Sequence, residues 1–287
     1  MRRVASTISI AITTFFLLGQ TAFGVRISGS DLLGEKIEQA IQSELEKAGL
    51  EAGLFFNGSL HGQNALASGD TDACILAIPD GVEVPGSRQY LLGFQVVAFG
   101  VHPSNPLREL NYSQLGNIFQ ENGSINDWVD LVSELAWEDR KIDLWASRSD
   151  ELITLEIFNA VVLKGSALKN SIRYNPADEE QLQRVLEEEP AALVVVPAIS
   201  LKSSGHLLAI KAEASGQAFT PSQDNVFYGD YPLRLPFHLI VSDSLDAVTV
   251  VKLVQAIYSD AVTEALEDSY YMPVPESERE AILSQVK

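Results

Sequence analysis

Residues 94–128 read FQVVAFGVHPSNPLRELNYSQLGNIFQENGSINDW, and the organisation of the chain is decided inside that stretch. A long apolar run from Tyr90 to Val101 has the β-branched and aromatic content of a buried strand. It ends abruptly at His102-Pro103-Ser104-Asn105-Pro106, where two prolines remove backbone donors and bar a further strand or helix turn. Ser113 to Phe119 then reads as a short helix. One strand that runs out of a first α/β unit and straight into the start of a second marks a domain crossing.

The flanking sequence alternates in the same way. Val25 to Ile27, Gly53 to Phe56 and Ala73 to Ile78 read as strands. Between them lie helical patterns over Asp31 to Ala48, with Leu33, Ile37, Ile41 and Leu45 four apart, and over His61 to Ser68. Beyond the crossing come a strand at Ile142 to Ala146, helices at Glu151 to Leu163 and Ala177 to Glu188, and a buried strand at Ala191 to Val196. Ser203 to Asn225 is polar and reads as a surface excursion. Phe237 to Val241 is an apolar strand that returns the chain to the first unit, followed by a helix at Ala247 to Tyr258 and a closing tail. Such alternation predicts an α/β protein with mostly parallel sheets. The expected division is residues 25–99 with 228–287 as one lobe and 100–227 as the other, a hinge between them and a ligand cleft at the hinge.

The N-terminus predicts export. Arg2 and Arg3 form a positive n-region, Ile8 to Leu18 an apolar h-region, and Ala22-Phe23-Gly24 a small-x-small cleavage site. Residues 1–24 are therefore expected to be a signal peptide, with the mature chain starting at or close to Val25. The apolar run is shorter than the ~20 residues that span a bilayer. Cys74 is the single cysteine, so no intramolecular disulfide forms, and it lies too far from the cleavage site to anchor a lipid. Its place in Ala73-Cys74-Ile75-Leu76-Ala77-Ile78 predicts a buried strand residue. A monomer free in the periplasm is expected.

The formal charge of −19 argues against nucleic acid and anionic membranes as partners. It leaves room for a small anion held by helix N-termini and a few basic groups. His61, His102, His206 and His238 share no motif and have no partner at metal-ligand spacing, so neither a metal nor a cofactor is expected. No Ser-His-Asp order or paired-carboxylate pattern stands out, and an enzyme is not expected.

Four segments in order resemble the phosphate-binding component of high-affinity phosphate ABC transporters. They are NGSLHGQNALASGDTDACILAIP (57–79), the 94–128 stretch with its HP-x-NP turn and Asn-Asp-Trp, NVFYGDYPLRLPFHLIV (225–241) and YYMPVPESER (270–279). The resemblance implies a two-lobed periplasmic binding protein-like fold (type II). It also implies a small phosphate-like anion held between the lobes by hydroxyls and backbone N–H groups, for delivery to an inner-membrane ABC permease. It points to Ser30, where strand one meets helix one, and to Ser59, before helix two. In the third loop it points to Arg148 and Thr154, which keep the family's spacing of six. A serine at Ser30 caps a helix equally well without any ligand, and Asp31 is expected to face outward. Glu151-Leu152-Ile153 replace the family's glycine-serine core, and Ala77-Ile78 replace its serine and acidic or arginine ligand. A hydrogen bond to a charged group contributes roughly 1.5–3 kcal/mol, so these departures are expected to weaken phosphate binding by roughly a thousandfold or more. The same fold serving as an envelope sensor or interaction protein, with tight anion binding lost, is the alternative.

Overall fold

A computed structural model describes residues 24–134, 137, 140–147, 153–175, 179–198 and 206–286. Residues 1–23, which the expected signal peptide covers, and Arg148 lie outside the described residues. The first unit begins with β1 (Val25–Gly29), a 3-10 turn at Asp31–Leu33 and α1 (Gly34–Lys47). The predicted stripe Leu33, Ile37, Ile41 and Leu45 is fully buried. β2 (Ala52–Phe56), α2 (Ser59–Ser68) and β3 (Ala73–Ala77) follow, and β4 (Ser87–Val101) is the long crossing strand.

The second unit contains β5 (Glu109–Asn111), α3 (Tyr112–Phe119), β6 (Asp143–Ser147) and α4 (Thr154–Phe158), which runs on as a π-turn over Asn159–Leu163. Next come β7 (Arg173–Asn175), α5 (Glu179–Glu188), β8 (Ala192–Pro197), β9 (His206–Leu207), β10 (Ala209–Lys211) and α6 (Gln223–Phe227). The chain returns through β11 (Arg234–Ser242). It closes with α7 (Ala247–Ile257), α8 (Asp260–Asp268), β12 (Met272–Pro273) and α9 (Glu276–Gln285).

The strands run in the order β2-β1-β3-β11-β4-β8-β6-β7. The wings are parallel, as the alternation implied: β1 pairs with β2 and β3, and β6 with β7 and β8. The centre is antiparallel, because β4 and β11 carry the chain out and back. β4 changes partners midway. Ser87 to Val96 pairs with β11, and Val97 to Val101 with β8.

Two hydrophobic cores sit on either side of that change. One packs Val25, Ile27, Ile37, Ile41 and Ile75 against Phe237, Leu239, Leu253, Val254 and Tyr271, joining the two ends of the chain. The other runs from Phe94 to Leu233 and includes Phe99, Phe119, Trp128, Phe158 and Val194. Phe99, Phe119 and Phe158 meet edge-on or tilted with ring centroids 5.1–5.9 Å apart. Tyr231 lies where the cores meet. It is fully buried, and its hydroxyl donates to the Val97 carbonyl oxygen at 2.7 Å.

Two readings of the sequence are corrected. The segment 203–225 is not only a surface excursion: Leu208 and Ile210 are fully buried, and β10 pairs with β5. The three-residue strand buries only Ile210, and the polar residues around it hide the signal. The closing tail, to which the sequence assigns no elements, holds α8, β12 and α9. Ser259 caps α8 by accepting from the Val262 N–H, and Val262, Ala265 and Leu266 form its buried face. Cys74 is fully buried, its thiol donates to the Gly62 carbonyl oxygen at 3.1 Å, and burial pushes its pKa up to about 12. That is the inert state of a packed strand thiol. Among the described residues no helix is long and apolar enough to cross a membrane.

Candidate functional site

β1, β2 and β3 end side by side, and their carboxyl ends form the edge where open α/β sheets bind ligands. Backbone bonds hold this edge together: Gly58 N–H donates to Gly29 O at 2.9 Å, and Ser30 N–H to Ile75 O at 2.8 Å. Ser30 therefore leaves the end of β1 and Ser59 begins α2 beside it. Gly62 allows the first turn of α2 to press on the sheet. A Cβ there would lie 2.8 Å from Leu76 Cδ2 and 3.3 Å from the Gly29 nitrogen, so a side chain would force Leu76 to move and crowd the end of β1.

Ser30 is buried and its Oγ accepts from the Leu32 N–H at 3.3 Å, capping the 3-10 turn. Ser59 Oγ accepts from the Ala77 N–H at 3.4 Å. Neither hydroxyl proton finds an acceptor among the described residues, so both can still donate to a bound oxyanion. Asp31 is exposed, as are His61 and Leu60. The structure thus brings Ser30 and Ser59 to one edge.

Thr154 belongs to the other unit. It is buried at the first residue of α4, which packs on β4 and β8. β8 ends at Pro197, opposite Val97, so the strand ends of the second unit also look toward the change of cores. No hydrogen bond among the described residues joins Thr154 to Ser30 or Ser59. Arg148, Asp150 and Leu152 lie outside the described residues.

Sequence reasoning overlooked Arg234. It opens β11, which runs antiparallel to β3, so it sits past the carboxyl end of β3 on the edge that carries Ser59. Its Nη2 donates to Asp80 Oδ2 at 2.7 Å, and its Cζ lies 4.9 Å from the centre of the Phe94 ring. Its signal was the arginine inside Tyr231-Pro232-Leu233-Arg234-Leu235-Pro236, directly before the return strand. His238, four residues further along β11, has its Nδ1 buried without a partner among the described residues. Burial pushes its pKa down, the Asp80 carboxylate opposes this and the Arg234 guanidinium adds to it.

A pH effect follows from His238. The unfolded chain takes up a proton near the ordinary value of about 6.5, whereas the folded ring resists protonation until lower pH. Between those two values the unfolded state binds more protons, so stability falls as pH drops below about 6.5. We expect Tm to fall more steeply from neutral to mildly acid pH for the native chain than for His238→Gln. Parallel curves in thermal melts across that range would refute the assignment.

No protein-family model matches the chain, and no curated protein matches its sequence. Solved structures do. A possible phosphate binding protein from Planctomyces limnophilus aligns at 16% identity and TM-score 0.71, covering 91% of this chain and 96% of that one. PstS from Borrelia burgdorferi aligns at 14% identity and TM-score 0.68, covering 88% and 98%. An ABC-type phosphate transport receptor from Vibrio cholerae aligns at 16% identity and TM-score 0.60, covering 86% and 99%. The chain has the two-lobed periplasmic binding-protein fold of these phosphate-binding proteins, in a mixed α/β form. The first is named as a binding protein and the third as a receptor. At such identities the likeness establishes the fold and leaves the ligand open.

Proposed function

We propose that the chain is an exported solute-binding protein that holds a phosphate-like oxyanion between its lobes and presents it to an inner-membrane ABC permease. The observation that carries this reading is the pair of donor-ready hydroxyls, Ser30 and Ser59, side by side at the carboxyl edge of β1–β3. Hydroxyls and helix-start N–H groups can hold an oxyanion in a protein of net charge −19 without a cluster of basic residues. In this reading residues 25–99 with 228–287 form one lobe and 100–227 the other. Thr154 adds a hydroxyl from the second lobe, and Arg148 adds a planar donor fork suited to an oxyanion. The signal peptide at 1–24 delivers a monomer to the periplasm.

Calorimetric titration with phosphate tests it. Ser30→Ala and Ser59→Ala are each expected to weaken binding by about tenfold, the loss of one hydrogen bond to a charged group. Arg148→Ala should weaken it by at least as much. Absence of heat at millimolar phosphate would defeat the transport role and favour an envelope sensor or interaction protein built on the same fold.

A further inference from the structure

We propose that Arg234 is a second anion-anchoring cation of this cleft and that the Asp80 carboxylate occupies the ligand's seat on it, to be displaced when a small oxyanion binds. The inference rests on the oxyanion reading above and names a competitor built into the same site.

The case begins with how the guanidinium is held. The Arg234 side chain is only 11% exposed, lying over the Phe94 ring on one side. On another it meets Gly229, where a Cβ would come within 2.9 Å of Nη2 and the backbone has φ +85°. A side chain at 229 would therefore close the slot, and glycine keeps it open. Cation–π contact and confinement fix the plane of the fork before any ligand arrives.

Donor accounting comes next. A guanidinium carries five N–H donors. Among the described residues Arg234 spends them on a single bond, from Nη2 to Asp80 Oδ2 at 2.7 Å. Arg26 shows what a structural arginine looks like in this chain. Its Nε and Nη2 both donate to Asp72, Nη2 also donates to the Gly69 carbonyl oxygen, and the Arg26 backbone N–H donates to the same carboxylate. The Arg234 fork is under-used by comparison, and bidentate pairing with a carboxylate or phosphate group is the geometry that would use it.

Asp80 has the properties of a displaceable partner. Its side chain is 64% exposed, so swinging it into water costs little solvation. It follows β3 by three residues, and the Ile78 N–H donates to Pro236 O at 3.1 Å, which ties its loop to the arginine's strand. His238, with its Nδ1 buried and unpartnered among the described residues, lies within the field of both charges. The edge that carries Ser59 thus holds an oriented cation and an internal oxyanion mimic, with a buried imidazole nitrogen further into β11 opposite Leu76.

Calorimetry with inorganic phosphate near neutral pH, on the full chain and three variants, tests this. Asp80→Asn removes the competitor and is expected to bind phosphate about tenfold more tightly than the native chain. Arg234→Gln is expected to bind about tenfold more weakly, and the double variant no more tightly than Arg234→Gln alone. Arg234→Lys, which keeps the charge and loses the fork, should fall between, with circular dichroism and Tm showing that it folds. If Arg234→Gln does not fold, Asp80→Asn and Arg234→Lys still decide. Native chain and Asp80→Asn binding equally would overturn displacement. Phosphate binding untouched by Arg234→Gln or Arg234→Lys would overturn the cation's role while leaving the oxyanion reading intact. Heat from Asp80→Asn alone would support this inference and defeat transport by the native chain. Silence from every protein would defeat both.

Discussion

Trp128→Ala is expected to cost about 4 kcal/mol of folding stability, the scale of deleting a large aromatic from a packed core. Trp128 is fully buried. Its indole N–H donates to the Ala191 carbonyl oxygen at 3.1 Å, and its backbone N–H donates to Arg140 O at 2.8 Å. Its ring meets Trp137 edge-on with centroids 5.6 Å apart, and the Arg140 guanidinium lies 4.9 Å over Trp137. The residue therefore pins the segment after α3 to the chain entering β8. Removing it opens a cavity and takes one of two bonds from the Ala191 carbonyl oxygen, which still accepts from the Asp143 N–H at 2.9 Å. In a domain of this size, Tm should drop on the order of 10 °C. Urea unfolding with an unchanged slope would show the loss as stability rather than altered compactness. Trp128→Phe keeps most of the packing and should lose only about 1–2 kcal/mol. Equal losses from both variants would mean that the hydrogen bond, and not the packing, is what matters there.

Tyr231→Ala is expected to be about as costly, roughly 3–5 kcal/mol, and its effect should reach the ligand as well. Tyr231 is buried where β4 passes from one core to the other, and its hydroxyl donates to Val97 O. The Val97 N–H in turn donates to Leu233 O at 3.0 Å, and Tyr112 donates to Pro232 O at 3.2 Å. These bonds set the angle at which the outgoing and returning strands lie. Tyr231→Phe removes one neutral hydrogen bond and should cost about 1–2 kcal/mol. Because Arg234 is three residues further on, the alanine variant should also weaken phosphate binding, and the phenylalanine variant should not. Calorimetry on both proteins, with Tm measured alongside, checks the pair. An alanine variant that is destabilised but binds normally would separate the strand crossing from the site.

The first unit was the more legible half. Its helices bury one stripe, and Leu33, Ile37, Ile41 and Leu45 repeat every four residues with nothing to obscure them. Ser30 and Ser59 were legible as loop residues because each stands between an apolar strand and a helical pattern. The second unit was harder. β9 and β10 are only two and three residues long, too short for a periodic signal to rise above the polar sequence around them. α8 and α9 were lost because their polar faces dominate the composition of the tail, and only Val262, Ala265 and Leu266 betray α8. Arg234 was missed for a different reason. Nothing local separates a surface arginine from one laid over an aromatic ring, since Phe94 is 140 positions away in sequence and adjacent only through strand pairing.

What the sequence determined by itself was therefore whatever depends on local order. That includes the alternation of strand and helix, the end of the long strand at His102 to Pro106 and the burial of Cys74. Local order acts over a few residues, through side-chain periodicity and restricted backbone angles, and it can be read where it acts. Only the tertiary structure decided which strands pair antiparallel at the centre. It also decided that Ser30 and Ser59 share an edge through the Gly58–Gly29 and Ser30–Ile75 backbone bonds, and that Arg234 meets Asp80 across 154 positions. Those contacts follow from closing long loops, whose entropic cost is repaid only when the whole sheet and both cores form together.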